Sequence, residues 1–215
     1  MLFVIIRKDS DFYHRSASIK KPIFVVMSRG RKLIVAVTGA SGSIYAKRLL
    51  YYLEQMPEQY EDVSMVFSKN AKEVWKYELG DESYSDLQFN EYDAHDFYAP
   101  FASGSAGYDT MFICPSSMGT LGRIANGISN DLISRAADVM LKERQQLIIV
   151  PRETPFNLIH LRNMTQLSEA GAVIIPAIPS FYNKPETIEQ VVDTVVHRIL
   201  KIAGFHLDTF RWGEQ

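Results

Sequence analysis

The sequence predicts one α/β domain, with a doubly wound, mainly parallel sheet covered by helices on both faces in three layers. Three observations lead to this fold class. Short, mostly apolar runs that end near glycine or proline alternate with helical segments from residue 31 onward. The chain has 215 residues, an ordinary size for one domain. Hydrophobic residues make up 47% and charged residues 22% of the chain, as in globular proteins rather than disordered ones.

Five mostly apolar runs have the composition of strands that are buried on both faces of a sheet. Thr38 and Gly39 follow the first run, and Pro115, Pro151 and Pro176 follow three of the others, so the runs are short enough to be strands. The predicted strands cover residues 33–37, 63–67, 110–114, 147–150 and 172–175.

Helical segments separate these runs. The last is the clearest, because apolar residues recur at three- and four-residue steps from Ile188 to Ile202 and Gly204 ends the pattern. Alternating strands and helices form parallel units with right-handed crossovers, so we predict a Rossmann- or flavodoxin-like sheet with binding loops at the carboxyl ends of its strands. Residues 80–100 show no periodicity and predict an irregular connection. The other predicted helices cover residues 43–55, 71–79, 121–128, 132–145 and 158–170.

Composition and charge exclude several functional classes. The chain has 23 basic and 25 acidic residues, so its formal net charge of −2 gives no reason to expect a nucleic-acid partner. Cys114 is the single cysteine, which excludes a disulfide scaffold and a cysteine-rich zinc site and leads us to expect a reducing, cytoplasmic location. We expect Cys114 to pack as a small apolar residue, because no histidine is placed nearby to activate it. No apolar run approaches the ~20 residues that span a bilayer.

The first 30 residues do not join the strand and helix pattern. Met27 stands directly before a short basic segment and the first predicted strand. We therefore divide the chain into an N-terminal extension, residues 1–30, either disordered or not translated, and an α/β domain, residues 31–215. A targeting or arm segment is the alternative interpretation of the extension.

Small and hydroxyl-bearing residues cluster around several strand ends. The loop TGASGS, residues 38–43, follows the first strand and opens a helix, where free N–H groups and the helix dipole favour an anion. It is neither a GxGxxG turn nor a P-loop with its lysine. Two further stretches, FASGS at 101–105 and CPSSMGT at 114–120, are also rich in serine and glycine. Together they predict a ligand that carries a phosphate or a polyol.

Several charged residues are candidates for chemistry. Arg135 and Lys142 are seven residues apart on one predicted helix face, where an ordinary solvated ion-pair ladder is the alternative. Arg152 and Glu153 leave a buried strand between two prolines, at the rim where α/β enzymes keep catalytic groups. Arg198 borders the apolar stripe of the last helix, where it either meets an anion or reaches toward water.

These stretches together resemble the UbiX-type flavin prenyltransferases, within the wider group of flavin-containing, cysteine-decarboxylase-like proteins. The resemblance covers nearly all of residues 31–215, so that part is identified as a flavoprotein domain. Its most specific segment is RAADVMLKERQQLIIVPRETP, residues 135–155, whereas the first glycine turn alone is a weak signal. The other matching stretches are VTGASGSIYAKRLL, VFSKNAKEVWKYEL, ASGS, CPSSMGTLGRIANGISNDLIS, FNLIHLRNM, GAVIIPAIPSFY and RWGEQ.

The resemblance implies an FMN site and an adjoining site for dimethylallyl monophosphate. Ser41 and Glu153 would handle protons, and Lys142 would be the third catalytic residue. Met118 stands where small polar residues are common in the family, so we expect a backbone contact from it. The FMN site would comprise Gly39, Ala40, Ser41, Ser68, Ser117, Met118, Gly119, Thr120 and Arg152. The prenyl phosphate would be bound by Arg135, Lys142, Tyr182, Arg198 and, from a neighbouring subunit, Glu78.

The resemblance also implies an activity. The family joins a dimethylallyl group to N5 and C6 of reduced FMN without a metal, forms homo-oligomers (dodecamers), and hands prenylated FMN to a partner decarboxylase. The residues are compatible with this chemistry, because the chain lacks the DDxxD-type cluster that would hold Mg²⁺ on a diphosphate. Arg135, Lys142 and Arg198, with the hydroxyl of Tyr182, would instead neutralise a monophosphate leaving group.

Two other functions are weighed against this one. An FMN-dependent cysteine-type decarboxylase would carry PASANT-type and PxMNxxMW-type loops, where this chain has CPSSMGT and PRETPFN, and a histidine-bearing helix that is missing after the first strand. A non-catalytic flavin-binding subunit would need none of Lys142, Glu153 and Arg198, all of which are present. An aromatic-acid decarboxylase is disfavoured because these loops supply no site for an aromatic carboxylate.

Overall fold

The computed structural model describes residues 30–207, so residues 1–29 of the predicted extension and the terminal RWGEQ lie outside the described residues. Within that range strands and helices alternate from the first strand onward. The strands are β1 (Lys32–Val37), β2 (Asp62–Phe67), β3 (Asn90–Tyr92), β4 (Thr110–Ser116), β5 (Gln146–Pro151) and β6 (Val173–Ile174). The α-helices are α1 (Ser43–Glu54), α2 (Lys69–Leu79), α3 (Met118–Ala125), α4 (Leu132–Lys142), α5 (Leu158–Glu169) and α6 (Ile188–Ile202).

All six strands pair in parallel in one sheet, in the order β3-β2-β1-β4-β5-β6. Val35 of β1 lies opposite Met65 of β2 on one side and Phe112 of β4 on the other. The order of the strands reverses at β1, since β2 and β4 flank it. In a doubly wound sheet, a crevice for a ligand opens at this reversal, beyond the carboxyl ends of the two strands.

Two hydrophobic clusters cover the two faces of the sheet, which confirms the predicted three layers. Leu33, Val35 and Val37 point to the cluster that contains α1, α2 and α6. Ile34 and Ala36 point to the cluster that contains α3, α4 and α5. Because both faces are buried, β1 reads as a continuous apolar run rather than an alternating one.

Three of the differences between the structure and the sequence prediction have a clear physical reason. Residues 80–100, predicted to be irregular, contain β3, a three-residue strand that adds an edge beside β2. Strand β4 runs past Pro115 to Ser116, because its pairing with β5 resumes after an irregularity that accommodates the missing N–H. Helix α3 starts at Met118, three residues earlier than predicted, because the side chain of Ser117 caps it.

A partly buried ion pair fastens α6 to α1. Arg48 on α1 donates from Nε and Nη2 to the two carboxylate oxygens of Asp193 on α6, at 2.7 and 2.6 Å. The hydroxyl of Tyr52 donates to the same carboxylate at 2.8 Å. Asp193 is 8% exposed, and its carboxylate raises the pKa of Arg48. The pair therefore fixes the position of the helix that carries Arg198. No helix among residues 30–207 is long and apolar enough to cross a membrane.

Replacing Asp193 with alanine is expected to lower the free energy of unfolding by about 3 kcal/mol, because it leaves the charge of Arg48 unpaired in a poorly solvated place. Urea denaturation monitored by circular dichroism measures this change. The matched control is Lys76→Ala, which breaks the well-exposed ion pair between Lys76 and Glu82 and should have no measurable effect. Equal stability of the two variants would contradict this account of the α1–α6 contact.

Candidate functional site

A cavity of about 360 Å³ opens at the carboxyl edge of the sheet, beyond the ends of β1, β2 and β4. The hydroxyl of Thr38, just after β1, accepts a hydrogen bond from the amide of Ser117 at 2.7 Å and donates to the carbonyl of Pro115 at 2.8 Å. This bridge holds the ends of β1 and β4 together beneath the cavity. The cavity is lined by Gly39, Ser68, Lys69, Asn70, Ala94, His95, Ser117, Thr120, Arg123 and Asp131.

Two helices direct their N-termini into this cavity. Ser68 caps α2 by accepting from the amide of Ala71 at 3.2 Å. Ser117 caps α3 by accepting from the amide of Thr120 at 3.2 Å, and its hydroxyl also donates to the Thr120 hydroxyl at 3.1 Å. Free amide N–H groups and the positive ends of the helix dipoles make such a place favourable for a phosphate.

The glycine turn after β1 has the tight geometry that its sequence suggests. Gly42 has a φ of 105°, a conformation that favours glycine. A Cβ at Gly39 would lie 2.6 Å from the Cβ of Asn70, so no larger residue fits where the turn meets α2. The side chain of Met118 is buried in the hydrophobic cluster beneath α3. The backbone contact expected of Met118 stays a prediction.

The carboxylate of Glu78 already occupies the anion site at the N-terminus of α1. Its oxygens accept from the amide of Gly42 at 3.1 and 2.9 Å and from the amide of Ser43 at 2.8 Å. Partial burial opposes the charge, but hydrogen bonds from the Ser41 side chain and these amides hold the pKa of Glu78 below its usual value. The carboxylate of Glu78 therefore stands at the helix N-terminus where the sequence predicted an anionic ligand.

Two of the predicted site residues lie at the exit of β5. The amide of Arg152 donates to the carbonyl of Ser116 at 3.2 Å. The Cγ atom of Arg152 is 3.8 Å from the position that a Cβ would take at Gly42, so its side chain reaches the glycine turn. Glu153 is exposed, and its Oε1 accepts from the amide of Thr154 at 2.9 Å. Arg152 and Glu153 thus stand at the same edge as Ser41.

The predicted phosphate cations on α4 do not converge on this edge within one chain. Arg135 donates from Nε to the carbonyl of Ala102 at 3.1 Å and from Nη1 to Asp138 at 2.8 Å. Lys142 pairs with Glu143 at 3.0 Å. Since α4 begins beside the cavity and Lys142 is its last residue, Lys142 lies about 15 Å farther along the helix.

Tyr182 comes from the loop between β6 and α6, and Arg198 comes from α6 itself. The amide of Ala177 donates to the carbonyl of Pro151 at 3.0 Å, which brings the loop before α6 to the exit of β5. Tyr182 in that loop is 69% exposed. Arg198 is exposed on α6, ten residues after the first residue of the helix, Ile188, or about 15 Å along its axis. The loop also contacts α6, because the amide of Ser180 donates to the hydroxyl of Thr194 at 3.1 Å. Arg198 lies one turn beyond Thr194 on that helix, away from the exit of β5.

Sequence reasoning missed several residues of the cavity. Arg123 stands three residues after Thr120 on α3, so the helical period alone would have placed the two side chains together. His95 and Ala94 come from the irregular segment after β3, where no pattern is available. Cys114 is buried, and burial raises the pKa of its thiol, which confirms the expectation that it packs as an apolar residue.

Comparison with known proteins shows the family to which this chain belongs. The model of the flavoprotein family matches residues 25–200. The flavin prenyltransferase UbiX of Methanocaldococcus jannaschii is 48% identical over 185 residues, which cover 85% of this chain and 98% of that protein. This chain belongs to the flavin prenyltransferase family. The same comparison confirms the resemblance that the sequence suggested.

Solved structures of this family have the same fold. A dodecameric FMN-dependent UbiX-like decarboxylase from Escherichia coli O157:H7 matches with a TM-score of 0.80 and 40% identity, over 84% of this chain and 98% of that one. AnUbiX (PadA1), in complex with FMN and dimethylallyl pyrophosphate, matches with a TM-score of 0.77 and 38% identity, over 85% and 100%. The epidermin biosynthesis protein EpiD from Staphylococcus aureus matches with a TM-score of 0.55 but only 19% identity, over 80% and 99%, so it shares the fold alone.

Stability is expected to depend on pH through Glu78. Its pKa in the folded chain is below the ordinary value of 4.5, so the charged carboxylate stabilises the fold above that value, and the contribution is lost as the pH falls through the lowered pKa. Wild-type protein should therefore resist urea better than Glu78→Gln at pH 7, and the two should converge in acid. Urea midpoints measured from pH 7 to pH 3 test this. Glu73→Gln, an exposed carboxylate on the same helix, is the control and should show no such difference.

Proposed function

We propose that this chain transfers the dimethylallyl group of dimethylallyl monophosphate to N5 and C6 of reduced FMN, and so makes prenylated FMN. The observation that carries the proposal is a cavity at the carboxyl edge of the sheet that the N-termini of α2 and α3 line and that the glycine turn borders through Gly39. Ser41, Glu78 and Arg152 lie at this glycine turn. Membership of the flavin prenyltransferase family supports the same reaction.

The donors of the cavity fit the polar end of FMN. Hydroxyls of Ser68, Ser117 and Thr120 line it, together with the first turns of α2 and α3. A phosphate ester and a ribityl chain accept hydrogen bonds of this kind. We propose that Gly39, Ala40 and Ser41 border the flavin on the β1 side, and that Met118 and Gly119 contribute backbone N–H groups. Reduced FMN supplies two nucleophilic atoms, N5 and C6, when it is bound.

The chain's own carboxylates and hydroxyl would handle the protons. Glu153 is exposed at the rim and is proposed to accept the proton released at C6, a role that the departing phosphate could share. Ser41 is proposed to relay a proton at N5. Because the pKa of Glu78 is low, its carboxylate stays charged at neutral pH and keeps the hydroxyl of Ser41 oriented.

The prenyl phosphate site would be completed by a second copy of the chain. Lys142 and Arg198 lie about 15 Å along their helices from the edge that holds Ser41, so one copy cannot supply every group. We propose that Arg135, Lys142, Arg198 and Tyr182 bind the phosphate of dimethylallyl monophosphate at a junction between copies. A homo-oligomer, and specifically a dodecamer as in the relative from Escherichia coli, would provide such junctions. Glu78 would then lie at the junction while it contacts Ser41 of its own chain.

The cellular role proposed here follows from the product. Prenylated FMN would be handed to a decarboxylase that uses it, and this would take place in the cytoplasm. Cysteine-type decarboxylation is less well supported, because the likeness to EpiD extends to the fold alone. A non-catalytic flavin-binding role is less well supported as well, because it does not require Lys142, Glu153 and Arg198, which this chain has.

Purified protein mixed anaerobically with reduced FMN and dimethylallyl monophosphate should yield a flavin whose mass has increased by one dimethylallyl group. Glu153→Gln and Lys142→Ala are each expected to slow this reaction at least about 100-fold, since each removes a proton acceptor or a phosphate cation. Mass spectrometry of the released flavin measures the rate. Lys76→Ala, which removes an exposed cation elsewhere, is the control. Wild-type rates in both site variants would show that the roles are wrongly assigned.

Mixing the two inactive variants tests the shared site. If Glu153 of one copy works with Lys142 of another, oligomers assembled from Glu153→Gln and Lys142→Ala chains contain some sites with both wild-type residues. Co-refolded or co-expressed mixtures should then regain part of the wild-type rate, whereas each variant alone stays inactive. Mixtures as inactive as the single variants would mean that Lys142 and Glu153 of one chain serve the same site.

A further inference from the structure

Arg123 on α3 lines the cavity, and the proposed reaction assigns it no role. Its Nη2 donates to the hydroxyl of Thr120 at 3.2 Å and to Oδ2 of Asp131 at 3.1 Å. Asp131 is itself fixed, because its Oδ1 accepts from the amide of Ser134 at 2.7 Å and so caps α4. The guanidinium is therefore held in one place by the ends of two helices.

The guanidinium of Arg123 is not fully hydrogen-bonded among residues 30–207, because its Nε is buried without a partner. Nη1 lies over the first turn of α3, 4.0 Å from the position that a Cβ would take at Gly119. A buried, charged N–H without an acceptor is costly, and a negative charge close to the guanidinium would offset that cost even without contacting Nε. Arg123 thus combines a fixed position with unused hydrogen-bonding capacity.

The charges around the cavity define which ligand group would meet Arg123. The N-terminus of α1 is already occupied by the carboxylate of Glu78, which would repel an anion there. The N-termini of α2 and α3, with Lys69 and Arg123, line the cavity, whereas Ser43 and Glu78 are not among its lining residues. An anionic group in this cavity is therefore directed toward Arg123 and away from Ser43.

We propose that Arg123 is a further flavin-binding residue that pairs with the phosphate of FMN, and that Asp131 is the positioning residue that aims it. This inference rests on the proposed function only in taking FMN as the ligand of the cavity. Arg123 also stands between Asp131 and the phosphate. Without it, the carboxylate and the phosphate would face each other and repel.

The test compares FMN with riboflavin, which is the same flavin without the phosphate. Arg123→Gln is expected to weaken FMN binding about 10- to 100-fold, the range for losing a hydrogen-bonded charge, and to leave riboflavin binding unchanged. Flavin fluorescence titration without any prenyl donor measures both affinities. Equal losses for the two flavins, or no loss for either, would overturn the proposal. If Arg123→Gln does not fold, as judged by circular dichroism, Arg123→Lys replaces it and should show a smaller loss confined to FMN.

Asp131→Asn provides a second readout that a merely structural role would not give. In the Arg123→Gln background it removes the repelling carboxylate, so it should restore part of the affinity for FMN but not change that for riboflavin. No recovery would overturn the screening role of Arg123. Wild-type protein that binds FMN but makes no prenylated flavin refutes the proposed reaction and leaves this test intact. Normal turnover with no discrimination between the flavins in Arg123→Gln refutes Arg123 alone.

Discussion

The bridge between the ends of β1 and β4 is the constraint on which the site depends. A parallel sheet that reverses its strand order opens at that point. The backbone amide of Thr38 donates to the carbonyl of Pro115 at 3.3 Å, and the Thr38 hydroxyl adds bonds to the same carbonyl and to the amide of Ser117, so Thr38 limits how far the two loops separate. It thereby fixes the glycine turn against the N-terminus of α3. The cavity, the capping serines and the approach of Arg152 all take their positions from this contact.

The three helix N-termini at this edge are used differently. The one at α1 is neutralised within the chain by Glu78, and this contact links α2 to the glycine turn and to the hydroxyl of Ser41. Those at α2 and α3 remain open to the cavity through Ser68 and Ser117. An anionic ligand is consequently drawn to one side of the crevice, and the other side retains a charged carboxylate next to a hydroxyl, which is an arrangement suited to moving protons.

Under the proposed reaction, the distribution of basic residues would leave a single copy chemically incomplete. A helix that follows a strand of a parallel sheet usually starts at the carboxyl edge and runs back antiparallel to the strand, so its late residues lie away from the ligand. Helix α2 departs from this, since Glu78 near its end still reaches the glycine turn. Lys142 at the end of α4 and Arg198 late in α6 follow this rule. The contact between Arg48 and Asp193 then fixes α6, so that Arg198 is presented outward at a defined place on the surface. Rigid presentation of this kind suits a residue that serves a neighbouring copy.

The sequence by itself determined the layered fold, because buried parallel strands must be apolar throughout, and it showed that several strand ends are rich in glycine and serine. The roles of individual residues such as Ser68 and Tyr182 came from the resemblance to the family and stay predictions. The sequence did not reveal β3, since an exposed three-residue edge strand needs only its neighbour β2 to form. Nor did it show that Glu78 fills the first helix N-terminus or that Asp131 anchors Arg123. The first contact joins residues 35 and 36 positions apart, and the second joins residues 8 positions apart. Only the packing of α2 on the glycine turn and of α4 beside α3 brings them within hydrogen-bonding distance.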